Sequence, residues 1–253
     1  MAVTVESAEM HHETTGPAGI PPLVLLHGGG VAGWMWEPLR GHLDPARRVI
    51  VPDLPGHGRS ASIDYESHDE TVARLVPLLE QETRPATVVG FSLGAQLAVL
   101  LAARRPDLVA DAVVVSAQAE PIRAVGPTLA LLSLTAGLAR NERFARLQAR
   151  ELFIPTALLP RYLETSASIS RTTLLRAVEE NLRFTPPPAW RAHPGTALVL
   201  VGAEEKPLMR RSAALLSRVH ASSTLEVVEG CGHGMPLQRP AELAARLEER
   251  LAT

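Results

Sequence analysis

Ser92 lies in the segment of this chain whose chemistry is the easiest to interpret. Residues 90–94 have the pattern Gly-x-Ser-x-Gly, between an apolar run at 87–91 and a helix-forming run at 93–104. A serine on a tight strand-to-helix turn projects its hydroxyl above a sheet, and the flanking glycines leave room for that turn. The pattern therefore predicts a nucleophilic serine, with a structural serine as the alternative.

A serine hydroxyl is a weak nucleophile at neutral pH, so it needs a general base and donors for the developing oxyanion. His233 lies in a glycine-flanked loop after the apolar run 224–228, where an imidazole could reach the serine. We predict that His233 is the base. Near the other end of the chain, an apolar run at 22–26 leads into the sequence His-Gly-Gly-Gly at 27–30.

Four motifs follow one another in order along the chain. They are HGGG at 27–30, DLPGHGRS at 53–60, GFSLG at 90–94 and GCGH at 230–233. In these motifs the chain resembles the α/β-hydrolase superfamily, specifically its single-domain, lidded branch of serine hydrolases and esterases. The resemblance implies a mostly parallel central sheet with helices on both faces and an inserted helical cap.

The third member of the expected triad departs from the family pattern. The resemblance implies an aspartate after the strand that follows the cap, but no aspartate occurs after Asp111. Glu205, three residues beyond Gly202, takes that place and is our prediction for the acid. Glu204 is the near alternative, and Glu120 is the remote one because some members of the fold carry the acid after an earlier strand. Glu204 and Glu205 could instead be solvated charges.

The resemblance also implies an oxyanion hole made of backbone amides, those of Gly29 and Leu93. Apolar side chains around the expected pocket favour a carboxylic ester with an apolar moiety; they include Trp34, Trp36 and Met235. No phosphate-binding glycine motif and no metal-ligand spacing is present, so we expect neither a cofactor nor a metal.

Alternating strand-like and helix-like segments must position these residues. Strands are predicted at 3–7, 9–14, 23–26, 48–52, 87–91, 112–115, 197–201 and 225–228. Helices are predicted at 34–43, 69–82, 93–104, 208–219 and 241–251. Ligands of such sheets bind beyond the carboxyl ends of the strands, where all four motifs lie.

The alternation stops between residues 120 and 190. We predict that 120–190 is a helical lid inserted into an α/β core of 1–119 and 191–253; an ordinary helical layer of the core is the alternative. Leu131, Leu134 and Leu138 share one helical face, which is expected either to line the pocket or to pack on the core.

The amino-acid composition and the net charge exclude several other classes of function. A chain of 253 residues with 46% hydrophobic residues can form one domain with an insertion. Its formal net charge of −2 gives no electrostatic case for nucleic acid or an anionic membrane. A single cysteine, Cys231, excludes an internal disulfide. No secretory signal or apolar run of membrane-spanning length occurs, so we expect a cytoplasmic protein.

These observations predict a serine hydrolase that cleaves a small-molecule carboxylic ester through an acyl-enzyme. Two alternatives would use the same triad, namely hydrolysis of a carbon–carbon bond in a diketone and cofactor-free perhydrolysis. A non-catalytic ligand-binding protein on the same scaffold is the alternative from another class. The oligomeric state and the natural substrate are left open.

Overall fold

Seven strands form a single sheet in the computed structural model, which describes residues 9–122, 125–135 and 142–252. They are β1 (His12–Thr15), β2 (Leu23–Leu26), β3 (Val49–Pro52), β4 (Ala86–Phe91), β5 (Val109–Val115), β6 (Thr196–Gly202) and β7 (Ser223–Val228). The strand order is β1-β3-β2-β4-β5-β6-β7. Only β1 is antiparallel to its neighbour, so the mostly parallel sheet predicted from the sequence is confirmed.

The interior strands β2 to β6 are mostly apolar because both faces of the sheet are covered. Every residue of β2, β3 and β4 is buried, whereas β7, at the edge, is largely exposed. β1 pairs with β3 in the register His12 to Pro52, and the predicted strand at 3–7 lies outside the described residues.

Eleven α-helices occur in the described ranges. They are α1 (Glu37–Arg40), α2 (His68–Glu80), α3 (Leu93–Arg104), α4 (Val125–Thr135), α5 (Glu142–Glu151), α6 (Leu159–Ser168), α7 (Arg171–Arg183), α8 (Pro188–Arg191), α9 (Pro207–Val219), α10 (Met235–Gln238) and α11 (Pro240–Leu251). No helix in these ranges is both long enough and apolar enough to cross a bilayer.

Two apolar clusters lie on opposite faces of the sheet. Because side chains alternate along a strand, Val24 and Leu26 point into one cluster, with α2, α3 and α9, while Leu23 and Leu25 point into the other, with α1 and α11. The predicted helix at 34–43 is instead a 3-10 turn, Gly33–Trp36, followed by the short α1. This arrangement brings the carboxyl ends of β2, β4, β5 and β6 to one edge.

The described residues between β5 and β6 contain helices and no strand. Helix α8 crosses the predicted lid boundary at 190, and Trp190 is fully buried in the same core cluster as Phe184. The lid boundaries therefore stay a prediction. Leu131 and Leu134 are 64% and 85% exposed, so they do not pack on the core as one of our two expectations required. Leu138 lies outside the described residues.

Candidate active site

The turn from β4 into α3 holds Ser92 in a left-handed conformation, with φ 52° and ψ −109°. Non-glycine residues rarely adopt such backbone angles, which are concentrated at functional sites. The amide of Ser92 donates to the carbonyl of Val115 at 2.9 Å, and its carbonyl accepts from Ala95 at 3.1 Å. Ser92 is thus fixed between the end of the sheet and the first turn of the helix.

The two motif glycines are required by close backbone contacts. A Cβ added at Gly90 would lie 2.2 Å from the carbonyl oxygen of Gly94, and one added at Gly94 would lie 2.3 Å from that of Leu26. Neither position has room for a side chain, and the neighbouring atoms are backbone that cannot move aside. The glycine spacing of the motif therefore follows from packing between β2, β4 and α3.

His233 lies between the serine hydroxyl and a carboxylate. Its Nε2 is 3.2 Å from Ser92 Oγ, and its Nδ1 is 2.7 Å from Glu205 Oε2. An ionised carboxylate can only accept, so Nδ1 carries the hydrogen and Nε2 is left to accept from the hydroxyl. The ring also packs against Phe91, with centroids 5.2 Å apart. This orientation is the one a general base requires.

The carboxylate of Glu205 is buried, with 1% of its side chain exposed. Its Oε1 accepts from Ser116 Oγ at 2.7 Å and from the amide of Gly202 at 2.9 Å. Burial by itself raises the pKa of Glu205, but the hydrogen bonds and charge of His233, with the bonds from Ser116 and Gly202, lower that pKa below its ordinary value. Glu205 is therefore ionised at neutral pH.

The other two acid candidates lie elsewhere. Glu204 is exposed, and the carboxylate of Glu120 accepts from Arg211 Nε at 3.0 Å. Of the three glutamates only Glu205 contacts His233. Its amide donates to Gly202 at 3.2 Å, which curls the chain after β6 so that residue 205 points back toward the base.

The two amides predicted for the oxyanion hole belong to residues that lie close to each other. Leu93 is the first residue of α3, and a Cβ built on Gly29 would lie 3.8 Å from Leu93 Cδ2. Within the described part of the chain, neither amide donates a hydrogen bond to a protein acceptor. Unpaired donors at a helix N-terminus can bind an oxyanion.

His27 has a role that the sequence analysis missed. It is fully buried, accepts from the amide of Leu54 at 2.9 Å and donates from Nδ1 to the carbonyl of Gly28 at 2.7 Å. That carbonyl and the amide of Gly29 belong to one planar peptide and point in opposite directions. His27 therefore fixes the direction of the Gly29 amide. The position of His27 directly before the three glycines is the feature of the sequence that could have indicated this role.

The predicted pocket residues differ in their surroundings. The indole Nε1 of Trp34 donates to Thr165 Oγ1 at 3.0 Å, so Trp34 connects the 3-10 turn Gly33–Trp36 to α6. Trp36 and Met235 have no exposed surface and lie in the apolar cluster with α1 and α11. Their contact with a substrate therefore stays a prediction.

A polar cavity of about 260 Å³ lies beside Trp34, between the sheet edge and α6. Its lining includes Asp53, Arg59 and Arg161 but neither Ser92 nor His233. Asp53 accepts from the amides of Gly33 at 2.7 Å and Arg59 at 2.9 Å, so it anchors its own turn through backbone groups.

Cys231 lies two residues before His233 and is buried. Burial raises the pKa of its thiol to about 11, so the thiol stays protonated at neutral pH. In the described ranges, no group of three or more histidine, cysteine, aspartate or glutamate side chains is placed to hold a metal ion.

Comparison with known sequences gives the family. The sequence model of the alpha/beta hydrolase family matches residues 23–246, a range that includes all the site residues above. The chain belongs to the alpha/beta hydrolase family.

Individual relatives within this family include ester hydrolases. Pimeloyl-(acyl-carrier protein) methyl ester esterase of Vibrio campbellii is 36% identical over 56% of this chain, and the match spans only 58% of that esterase. The 2-hydroxymuconate semialdehyde hydrolase of a Pseudomonas species is 28% identical over 91% of this chain and 87% of that protein.

Among solved structures, the enol-lactonase of Burkholderia xenovorans LB400 has a TM-score of 0.80 at 20% identity, covering 96% of each chain. At that identity the structural likeness shows the fold alone. Family membership and the similarity to an esterase support a hydrolase, whereas the nucleophile and the substrate belong to the proposal below.

Proposed function

We propose that this protein is a serine hydrolase that cleaves a carboxylic ester with an apolar moiety through an acyl-enzyme. The observation that carries the proposal is the connected line from Ser92 Oγ through His233 to Glu205, at 3.2 and 2.7 Å. A nucleophile, a base and an orienting carboxylate within hydrogen-bond reach of one another define this reaction class.

In the first half-reaction Ser92 Oγ attacks the carbonyl carbon of the ester while His233 Nε2 takes the hydroxyl proton. The tetrahedral oxyanion then accepts from the amides of Gly29 and Leu93, each worth about 3 kcal/mol of transition-state stabilisation. His233 returns its proton to the departing alkoxide, and the alcohol leaves behind an acyl group on Ser92.

In the second half-reaction a water molecule takes the place of the alcohol. His233 removes a proton from the water as its oxygen attacks the acyl carbon, and the same proton returns to Ser92 Oγ when the carboxylic acid leaves. Glu205 stays ionised throughout and stabilises the imidazolium in both halves. No cofactor enters this sequence of steps.

The ester preference rests on the relatives and on the chemistry of the site. The relative from Vibrio is named for a methyl ester, and a triad with a backbone oxyanion hole suits acyl transfer to water. The apolar group expected on the substrate rests on the apolar character of the residues predicted around the pocket.

Hydrolysis of a carbon–carbon bond is a second candidate. The 2-hydroxymuconate semialdehyde hydrolase matches 91% of this chain, a larger share than the esterase does, and its named substrate contains no ester. The same triad can serve such a reaction, so the site geometry does not favour either substrate.

A panel of p-nitrophenyl esters of graded acyl length, run beside a vinylogous diketone, tests the proposal. We expect turnover of the esters, with a defined chain-length optimum, and loss of that turnover in the Ser92→Ala variant. Diketone cleavage without ester cleavage would replace the first candidate by the second. Ester hydrolysis that survives Ser92→Ala would refute the nucleophile, and a folded protein inactive on the whole panel would favour a ligand-binding role.

A further inference from the structure

Ser116 follows the last residue of β5 in an unusual conformation. Its φ is 56°, in the left-handed region that L residues with side chains rarely adopt, and the residue is buried. Its amide donates to the carbonyl of Leu200 at 2.9 Å, so the turn is held against β6. Glycine or asparagine would adopt this backbone more readily. A serine occupies this strained position, and its side chain has a specific contact.

That contact is with the carboxylate of Glu205. Ser116 Oγ donates to Oε1 at 2.7 Å, while the amide of Gly202 donates to the same oxygen at 2.9 Å. The second oxygen, Oε2, faces His233 Nδ1 at 2.7 Å. The carboxylate is thus bonded from three sides by groups from three different segments of the chain.

We propose that Ser116 is a positioning residue for the acid, a fourth member of the line Ser92–His233–Glu205. The inference rests on the proposed function, because it assigns a task to Ser116 only if Glu205 orients His233 during the reaction. Ser116 itself touches neither the nucleophile nor the substrate in this arrangement.

The length of the glutamate side chain explains why a fourth member is needed. Glutamate has one more rotatable bond than aspartate, so its carboxylate can turn away from the imidazole unless a second contact fixes it. The Gly202 amide lies in the same turn as Glu205 and restrains it from one direction. The Ser116 hydroxyl approaches from the neighbouring strand and restrains the rotation that remains.

A neutral donor suits this place chemically. A hydroxyl stabilises the ionised carboxylate without adding a positive charge, so Glu205 keeps its full charge for the imidazolium of His233. Without this bond the carboxylate would be more basic and less well oriented. The first effect favours a protonated His233, and the second slows proton transfer from Ser92.

Two substitutions separate the hydroxyl from the backbone conformation. Ser116→Ala removes the hydroxyl and keeps the strained turn, whereas Ser116→Gly removes the hydroxyl and relieves the turn. We expect both variants to lose roughly ten-fold in kcat with little change in KM, an order typical of misplaced catalytic groups. In both, the acidic limb of the kcat/KM profile should move to higher pH, because a more basic carboxylate favours the protonated imidazole.

Ser60→Ala is the matched control. Ser60 is also buried, and its hydroxyl accepts from the amide of His11 at 2.9 Å, away from Glu205. We expect this variant to lose some thermal stability but to keep the wild-type pH profile. A structural role for Ser116 would produce the same pattern as Ser60→Ala.

The outcomes distinguish this inference from the proposed function. Wild-type kcat and pH profile in Ser116→Gly would overturn the positioning role, whether or not Ser116→Ala is impaired or fails to fold. If Ser116→Gly behaves like wild type while Ser92→Ala and Glu205→Gln lose activity in the same assay, only the role of Ser116 is refuted. If those two variants keep activity, the proposed triad itself is wrong.

Discussion

At the scale of single residues, the buried charge of Glu205 accounts for the geometry around it. A carboxylate removed from water is stable only when its oxygens are hydrogen-bonded, and here Ser116, Gly202 and His233 provide those bonds. The same bonds hold Nδ1 of the imidazole as a donor. The tautomer that a general base requires is therefore set in the folded protein before any substrate binds.

A series of glutamate-to-glutamine variants tests this assignment. Glu205→Gln keeps the size of the side chain but removes the charge that stabilises the imidazolium of His233. We expect kcat to fall by several orders of magnitude, comparable with the about ten-thousand-fold loss for the corresponding change in a serine protease triad. Steady-state kinetics on one p-nitrophenyl ester is sufficient to measure this loss.

Glu204→Gln and Glu120→Gln serve as controls in the same assay. Glu204 is exposed and Glu120 pairs with Arg211, so each variant should stay within about two-fold of wild type. A loss of several orders of magnitude in kcat for Glu120→Gln would indicate that the triad acid is Glu120, which follows β5. Equal, small effects at all three positions would indicate a Ser92–His233 dyad.

At the scale of elements, the end of α5 contacts the loop at 230–234, which contains His233. The amides of Phe153 and Ile154 donate back to Arg150 and Ala149, which closes the helix with a residue of positive φ at a place where glycine is usual. Phe153 takes that place with φ 56°, and a Cβ added at Gly232 would lie 3.0 Å from its ring. The positive φ of Phe153 thus places its aromatic ring against the loop that contains His233.

Phe153→Ala should therefore change KM and the chain-length preference more than it changes thermal stability. Removing the ring loosens the contact between α5 and the His233 loop, so we expect a several-fold higher KM and a shifted chain-length optimum. The ester panel and a thermal melt measure both quantities. Leu147→Ala, a change at an exposed residue of the same helix, should leave KM unchanged. An unchanged KM in Phe153→Ala would show that this contact has no effect on substrate binding.

The elements themselves differ in how well the sequence predicts them. The strand Leu23–Leu26 and the helix Leu93–Arg104 have the predicted bounds, because each is a mostly apolar run with glycine or proline close to its ends. The helix predicted at 34–43 is wrong at both ends, because Gly33–Trp36 is a 3-10 turn and α1 ends at Arg40. The amide of Gly33 donates to Asp53, twenty positions away, a contact that the local sequence does not indicate.

The same reason limits prediction of the site. The meeting of Ser92, His233 and Glu205 could be predicted because each lies in a local pattern after a strand, and their catalytic roles stay a prediction. Ser116 and Phe153 could not, since the contact of Ser116 is with residue 205 and that of Phe153 is with the loop at 232–234. Their spacing in the sequence carries no signal that would bring them to the site.

At the scale of the whole molecule, buried histidines link folding to pH. Burial lowers the pKa of His27, His68 and His220, and it lowers that of His57 to about 3. In the folded protein these rings stay neutral at a pH where the same rings in the unfolded chain, with a pKa near 6.5, already bind protons. Protons therefore favour the unfolded state below about pH 6.5.

The melting temperature should consequently fall between pH 7.5 and pH 5. For His57 alone, the 1.5 pH units between about 6.5 and 5 correspond to about 2 kcal/mol of lost unfolding free energy. Calorimetry at constant ionic strength measures the change. His57→Gln should have a shallower dependence of stability on pH than wild type has. A melting temperature that stays constant or rises toward pH 5 would contradict the neutral, buried state of these rings.

We expect Ser92 to be a nucleophile that is activated by its hydrogen bond to His233 Nε2. A fluorophosphonate probe reports on this property, since a nucleophilic hydroxyl displaces fluoride from phosphorus and keeps the phosphonyl group. Mass spectrometry of the intact protein, followed by peptide mapping, should show one adduct on Ser92, with labelling slowed strongly in the His233→Ala variant and absent from Ser92→Ala. If folded wild-type protein gives no adduct, or if an adduct still forms in Ser92→Ala, Ser92 is not the nucleophile.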